Sequence, residues 1–142
     1  ATNPLPNISA YALTKAAIVR FAETLAEEVR GSGIDVNSIA PGALNTGMLD
    51  EIIAAGPEKV GEKFYAKSLE QKETGGSPLG RSAELAVFLA SAESDRITAK
   101  LISALWDDWQ SWPSNIPELD STDVYTLRRI AGRDRNMSWG DK

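Results

Sequence analysis

An α/β fold, a parallel sheet covered by helices, is what the sequence predicts, and three consecutive features predict it. Leu13, Ala17, Phe21, Leu25 and Val29 recur every four residues between Ser9 and Arg30, with Ile18 and Ala22 beside them, the period of an amphipathic helix. Gly31 and Gly33 follow, suited to the left-handed conformation that ends helices. Ile34 to Ala40 is then short, rich in β-branched residues and closed by Pro41-Gly42, the pattern of a buried strand ending in a turn. Helix, glycine turn and strand make the second half of a βαβ unit, which places the strand in a parallel sheet.

Residues 1–7 carry two prolines and two asparagines, so a loop leads into the long helix, with Ser9 as its expected N-cap. Beyond the Pro-Gly turn, Gly47 to Ala55 and roughly Glu58 to Glu70 read as two helices parted by Gly56-Pro57, and Glu73 to Arg81 as a flexible run. Ser82 is expected to cap a helix over 83–92, whose apolar face is Leu85, Phe88, Leu89 and Ala92. Ser94 to Thr98 reads as a turn, Leu101 to Leu105 as a strand, and Val124 to Ile130 as one last short helix.

The 142 residues contain neither Cys nor His. That excludes a disulfide framework, a thiol nucleophile, a Cys/His zinc site and a Ser-His-Asp relay, and no metal site is expected. Proton chemistry falls to Tyr, Lys or a carboxylate. A net charge of −5 with no basic block argues against nucleic acid or an anionic membrane as partner. No apolar stretch approaches the roughly 18 residues of a membrane span, so a cytoplasmic location is expected. The start at Ala1, without a signal-peptide pattern, reads as processed or truncated.

Tyr11 and Lys15 lie four residues apart near the start of the long helix, so phenol and ammonium project from one face about 6 Å apart along the axis. An unperturbed Tyr titrates near pH 10, about three units above neutrality, and a neighbouring cation favours its phenolate, so such a Tyr can act as general acid or base without histidine. Standing alone, the pair is better explained as an ordinary half-buried Tyr beside a solvated Lys, since that spacing recurs often by accident. The loop from Pro41 to Met48 follows the C-terminal end of a parallel strand, the edge where ligands bind in open α/β sheets. It offers backbone groups and the Thr46 hydroxyl to a flat polar ligand, and a plain structural turn is the alternative.

Together, YALTK (11–15), preceded by Ser9-Ala10, VNSIAPGALNTGM (36–48) and PLGRSAELAVFLASAESDRIT (78–98) resemble the short-chain dehydrogenase/reductase family over roughly residues 1–105. The resemblance implies the C-terminal portion of a doubly wound, Rossmann-like domain whose N-terminal dinucleotide-binding half is missing. It implies hydride transfer between NAD or NADP and an alcohol or ketone. Tyr11 would exchange the proton with the substrate oxygen, and Lys15 would lower the Tyr11 pKa and bond the nicotinamide ribose. Pro41, Gly42, Leu44 and Thr46 would line the nicotinamide side, helices from Met48 to about Glu70 would form a lid, and the 9–30 helix would pair with a second copy in a homo-oligomer.

The sequence also departs from that family. No glycine-rich strand-turn-helix for a diphosphate precedes Tyr11, the family's Ser about a dozen residues ahead of the Tyr has no counterpart, and Ser9 is too close to replace it. The isolated chain is therefore expected to be inactive, and a non-catalytic interaction module is the alternative. A carboxylate-based hydrolase finds no paired acids in a recognisable setting. Ala99-Lys100 stands where the family commonly has Gly, and residues 106–142 form a distinct tail. Its Trp106, Trp109 and Trp112 read as anchors on the body or a partner, or as a stacking platform. Arg128 and Arg129 read as a phosphate or carboxylate grip, or as a solvated pair with Asp134 nearby.

Overall fold

The computed structural model describes residues 4–139. The first three residues of the expected leading loop and the last three of the tail lie outside that range. Eight elements follow in order: α1 (Ser9–Glu28), β1 (Ser38–Ala40), α2 (Gly47–Ala55), α3 (Pro57–Val60), α4 (Glu62–Thr74), α5 (Leu79–Leu89), β2 (Leu101–Ser103) and α6 (Ile116–Ser121). Short 3-10 turns at Ala92–Ser94, Trp109–Asn115 and Gly132–Arg135 complete the chain. The α/β class holds: β1 and β2 pair in parallel, with Ser38 opposite Leu101, Ile39 opposite Ile102 and Ala40 opposite Ser103.

The strand expected from residue 34 is regular only from Ser38. Ahead of it the chain is fastened by side chains: Asp35 Oδ2 accepts from the Arg96 N–H at 2.9 Å, and the Val36 N–H donates to Thr98 Oγ1 at 2.9 Å. The Asn37 amide donates to the Ile97 carbonyl at 2.6 Å, and its oxygen accepts from the Lys100 N–H at 3.1 Å. Ala99 sits among these bonds at φ 60°, a left-handed conformation that favours glycine.

The core lies between α5, β2 and the tail. Leu85, Phe88, Ile97, Ile102 and Ala104 pack with Trp109, Trp112 and Leu119. The Phe88 and Trp109 rings lie 5.1 Å apart, those of Trp112 and Tyr125 4.4 Å, and the Arg81 guanidinium sits 5.1 Å over Trp109. Trp109 and Trp112 are thus body anchors, whereas Trp106 is 86% exposed. α1 contributes little to this core: it buries Val19, Glu23 and Ala26 and leaves Leu13 and Phe21 70% and 66% exposed.

Three local expectations are corrected. Ser9 is the first helical residue of α1, not its cap; Ile8 holds that position without a side-chain cap. Ser82 lies inside α5, where its hydroxyl donates to the Pro41 carbonyl at 3.0 Å. Residues 124–130 form no helix, because their backbone groups are bonded elsewhere: the Tyr125 carbonyl accepts from the Leu101 N–H at 2.7 Å, and the Leu127 N–H donates to Glu23 Oε1 at 2.5 Å. Arg20 donates to the Leu127 carbonyl and ion-pairs with Glu23 at 2.8 Å, completing a clamp from α1 onto the tail.

Candidate active site

The site grows from the C-terminal end of β1. Chain reversal after Ala40 puts Gly42 at φ 91°, and a Cβ there would lie 2.5 Å from Leu105 Cδ1 and 2.6 Å from Ser77 Oγ. Both geometry and space require glycine at this point. The loop beyond is held from a distance: the Ser77 N–H donates to the Ala43 carbonyl at 2.8 Å, and the Ala43 N–H donates back to Ser77 Oγ at 3.0 Å. Gln71 on α4 donates to the Leu44 carbonyl at 3.1 Å and to Asn45 Oδ1 at 3.2 Å. The run over 73–81, expected to be flexible, is therefore a latch, with Gly75 ending α4 in the left-handed conformation and Lys72 paired to Asp50 at 2.7 Å.

α1 brings the phenol and ammonium together as its period requires, with Lys15 Nζ 5.5 Å from the Tyr11 ring centroid. Two cavities meet at Tyr11 and Gly42. One, of about 430 Å³, runs beneath α2 and α4 and is lined by Tyr11, Gly42, Leu44 and Thr46 together with apolar side chains that include Leu49 and Phe64. The other, of about 630 Å³, is a groove along α1 and β1, lined by Tyr11, Lys15, Pro41 and Gly42 among others. All six residues singled out in the sequence are thus gathered at one junction. The segment expected to form a lid, from Met48 to about Glu70, folds as α2, α3 and the first turns of α4. Asn7 ties the leading loop to it by donating to the Val60 carbonyl at 3.3 Å.

Sequence reasoning missed Ser77, Ser82 and Gln71, which hold the Pro-Gly loop, and Leu5 and Ile8, which close the chamber from the N-terminal side. A small polar residue after Gly75-Gly76 was the one available signal. For a nicotinamide cofactor, the donors present fit one end of the molecule. Lys15 and the Tyr11 hydroxyl give the groove donors suited to ribose hydroxyls, and Thr46 adds a hydroxyl on the adjoining wall. For a diphosphate, the turn between β1 and α2 offers only Gly42 and Gly47, not a three-glycine cradle.

A family model described as enoyl-(acyl carrier protein) reductase matches residues 1–104. Oxidoreductase UcpA of Escherichia coli (strain K12) is 43% identical over 97 residues, which is 66% of this chain and 36% of that protein. The 3-oxoacyl-[acyl-carrier-protein] reductase FabG of Thermotoga maritima is 33% identical over 103 residues, 68% of this chain and 37% of its own length. An uncharacterized oxidoreductase, YghA of Escherichia coli (strain K12), is 36% identical over 104 residues, 71% and 33% of the two chains. The chain spans about a third of the length of the curated relatives it matches. No solved structure matches it significantly. With its matched segment running from the leading loop through β2, and with Tyr11, Lys15 and the Pro-Gly loop meeting at one junction, the chain belongs to the short-chain dehydrogenase/reductase family.

Proposed function

We propose that this chain is the catalytic, C-terminal portion of a doubly wound oxidoreductase that interconverts an alcohol and a ketone with NAD or NADP. The observation that carries the reading is the position of Tyr11 on the wall shared by a mostly apolar chamber and a groove bearing Lys15. A nicotinamide bound along that groove would supply or accept the hydride. Tyr11 gives its hydroxyl proton to the carbonyl oxygen as the alcohol forms and takes it back in the reverse direction. Lys15 would hold ribose hydroxyls, and Pro41, Gly42, Leu44 and Thr46 would line the nicotinamide side.

Without a diphosphate cradle among the described residues, the 142-residue chain alone is proposed to turn over no nicotinamide. In the polypeptide as its gene encodes it, Lys15→Met is expected to weaken cofactor binding at least about tenfold, which is roughly 1.4 kcal/mol. Fluorescence titration with NADH and NADPH measures this, and unchanged affinity for both cofactors overturns the role of Lys15.

A second reading, a non-catalytic interaction module, draws on the exposed Leu13 and Phe21 of α1. That face suits a second copy of the chain. Sedimentation of the wild type and Phe21→Glu tests it: a dimer that the charge dissociates supports pairing through α1, and a monomer in both cases contradicts it.

A further inference from the structure

Among the described residues, the wall of the chamber under α2 and α4 carries no Asp, Glu, Lys or Arg. Its surface is dominated by Leu5, Ile8, Leu44, Leu49, Ile52 and Phe64. The polar groups in this wall are largely spent within it. The Ser68 hydroxyl donates to the Phe64 carbonyl at 2.9 Å, and the Gln71 amide serves the Leu44 carbonyl and Asn45. Both backbone groups of Ala43 are bonded to Ser77. Among the described residues, the side-chain groups of this wall left without a bond are the Tyr11 and Thr46 hydroxyls and the Gln71 amide oxygen.

We infer that the chamber selects a neutral substrate with a hydrocarbon body and a single oxygen function, an aliphatic or alicyclic ketone or its alcohol. This rests on the oxidoreductase reading and adds the substrate class to it. Most further hydroxyls of a polyol would be stripped of water against a wall that offers few free partners, and a carboxylate would meet no cation within the chamber wall, Lys15 standing in the adjoining groove. A hydrocarbon body meets neither cost and is drawn in by burial of its apolar surface. Its lone oxygen finds Tyr11, the proton donor of the proposed reaction.

The chain has two methionines, of which Met48 lines the chamber and Met137 lies in the tail. Methyl-labelled methionine NMR on the chain, without cofactor, therefore reads occupancy at Met48 against an internal control. 2-Decanone is expected to shift the Met48 signal and leave Met137 unmoved, while decanoate and glucose bind at least about tenfold more weakly, consistent with unpaired buried polar groups. Ile52→Asp is expected to raise the apparent Kd for 2-decanone by about tenfold or more. If that variant does not fold, the comparison of three probes on the unaltered chain still decides.

Equal or stronger shifts at Met48 with glucose or decanoate overturn the inference. So does a ketone response that is absent or equally large at Met137. The readout needs no turnover, so selective ketone binding without nicotinamide oxidation by the encoded polypeptide would defeat the oxidoreductase reading alone. Turnover of sugars or carboxylates in preference to ketones would defeat the substrate class alone.

Discussion

The Lys100 ammonium, nearly buried beside β2, donates to the Leu119 carbonyl at 2.7 Å and to the Val124 carbonyl at 3.2 Å. It closes the end of α6 and the following segment onto the sheet with one side chain. Burial pushes its pKa below the ordinary lysine value, against the pull of Asp120 and, more weakly, Asp123 and Glu23. Lys100→Met leaves two carbonyls without this donor and is expected to cost about 1–3 kcal/mol by urea denaturation at neutral pH. Because the folded pKa is the lower one, the unfolded chain binds more protons between it and 10.5, and native stability rises with pH there. The stability gap between wild type and Lys100→Met should widen toward pH 10.5, and a constant gap would contradict the burial of this charge.

Arg128 is held locally, not poised for a ligand. It donates to Asp134 at 2.7 Å and pairs with Asp123, while Asp134 also accepts from the Ala131 N–H at 2.7 Å. The Arg128 bond is the larger cause, and the Ala131 bond the next, of an Asp134 pKa lowered from 3.8 to about 2. The folded value is the lower one, so whatever stability the pair contributes is complete above pH 3.8 and is lost as pH falls toward 2. Carboxyl NMR should place the Asp134 midpoint near 2 and move it toward 3.8 in Arg128→Gln. A midpoint that stays put in the variant would remove Arg128 as the cause.

Gly42→Ala sets a Cβ at φ 91° and within 2.6 Å of both Leu105 and Ser77. The expected loss is about 1–3 kcal/mol, combining left-handed strain with overpacking. The loop that carries Leu44 and Thr46 should loosen with it. Thermal unfolding measures the loss, and a change under about 0.5 kcal/mol would show that this backbone is not the one the protein adopts.

The tryptophans of the tail should separate sharply. Trp109→Ala opens the core beside Phe88 and Leu85 and is expected to cost about 3–5 kcal/mol. Trp109→Phe should cost less, since among the described residues the buried indole N–H has no partner to lose. Exposed Trp106→Ser should fall within about 0.5 kcal/mol. Chemical denaturation of the three variants checks the order.

What the sequence made legible was local in origin. α1 and α2 follow from periodicity and flanking glycines, β1 from its branched residues and Pro-Gly stop, and the approach of Lys15 to Tyr11 from helical spacing alone. What it hid depends on partners far along the chain. Ser77 reaches Ala43 across 34 residues, Ser82 reaches Pro41 across 41, and Gln71 reaches Leu44 across 27. The apolar spacing of 124–130 suggests a helix, yet Lys100, Glu23 and Leu101 claim its backbone and Tyr125 turns left-handed at φ 59°.

The central claim is that Tyr11 is the proton donor of a nicotinamide-dependent reduction. Its most direct test is single-turnover NAD(P)H oxidation with a methyl ketone, comparing the encoded polypeptide with Tyr11→Phe. The predicted result is a rate lower by about 10²–10⁴-fold with cofactor affinity preserved, the size of effect that general acid catalysis supplies. Equal rates in the two proteins would contradict it.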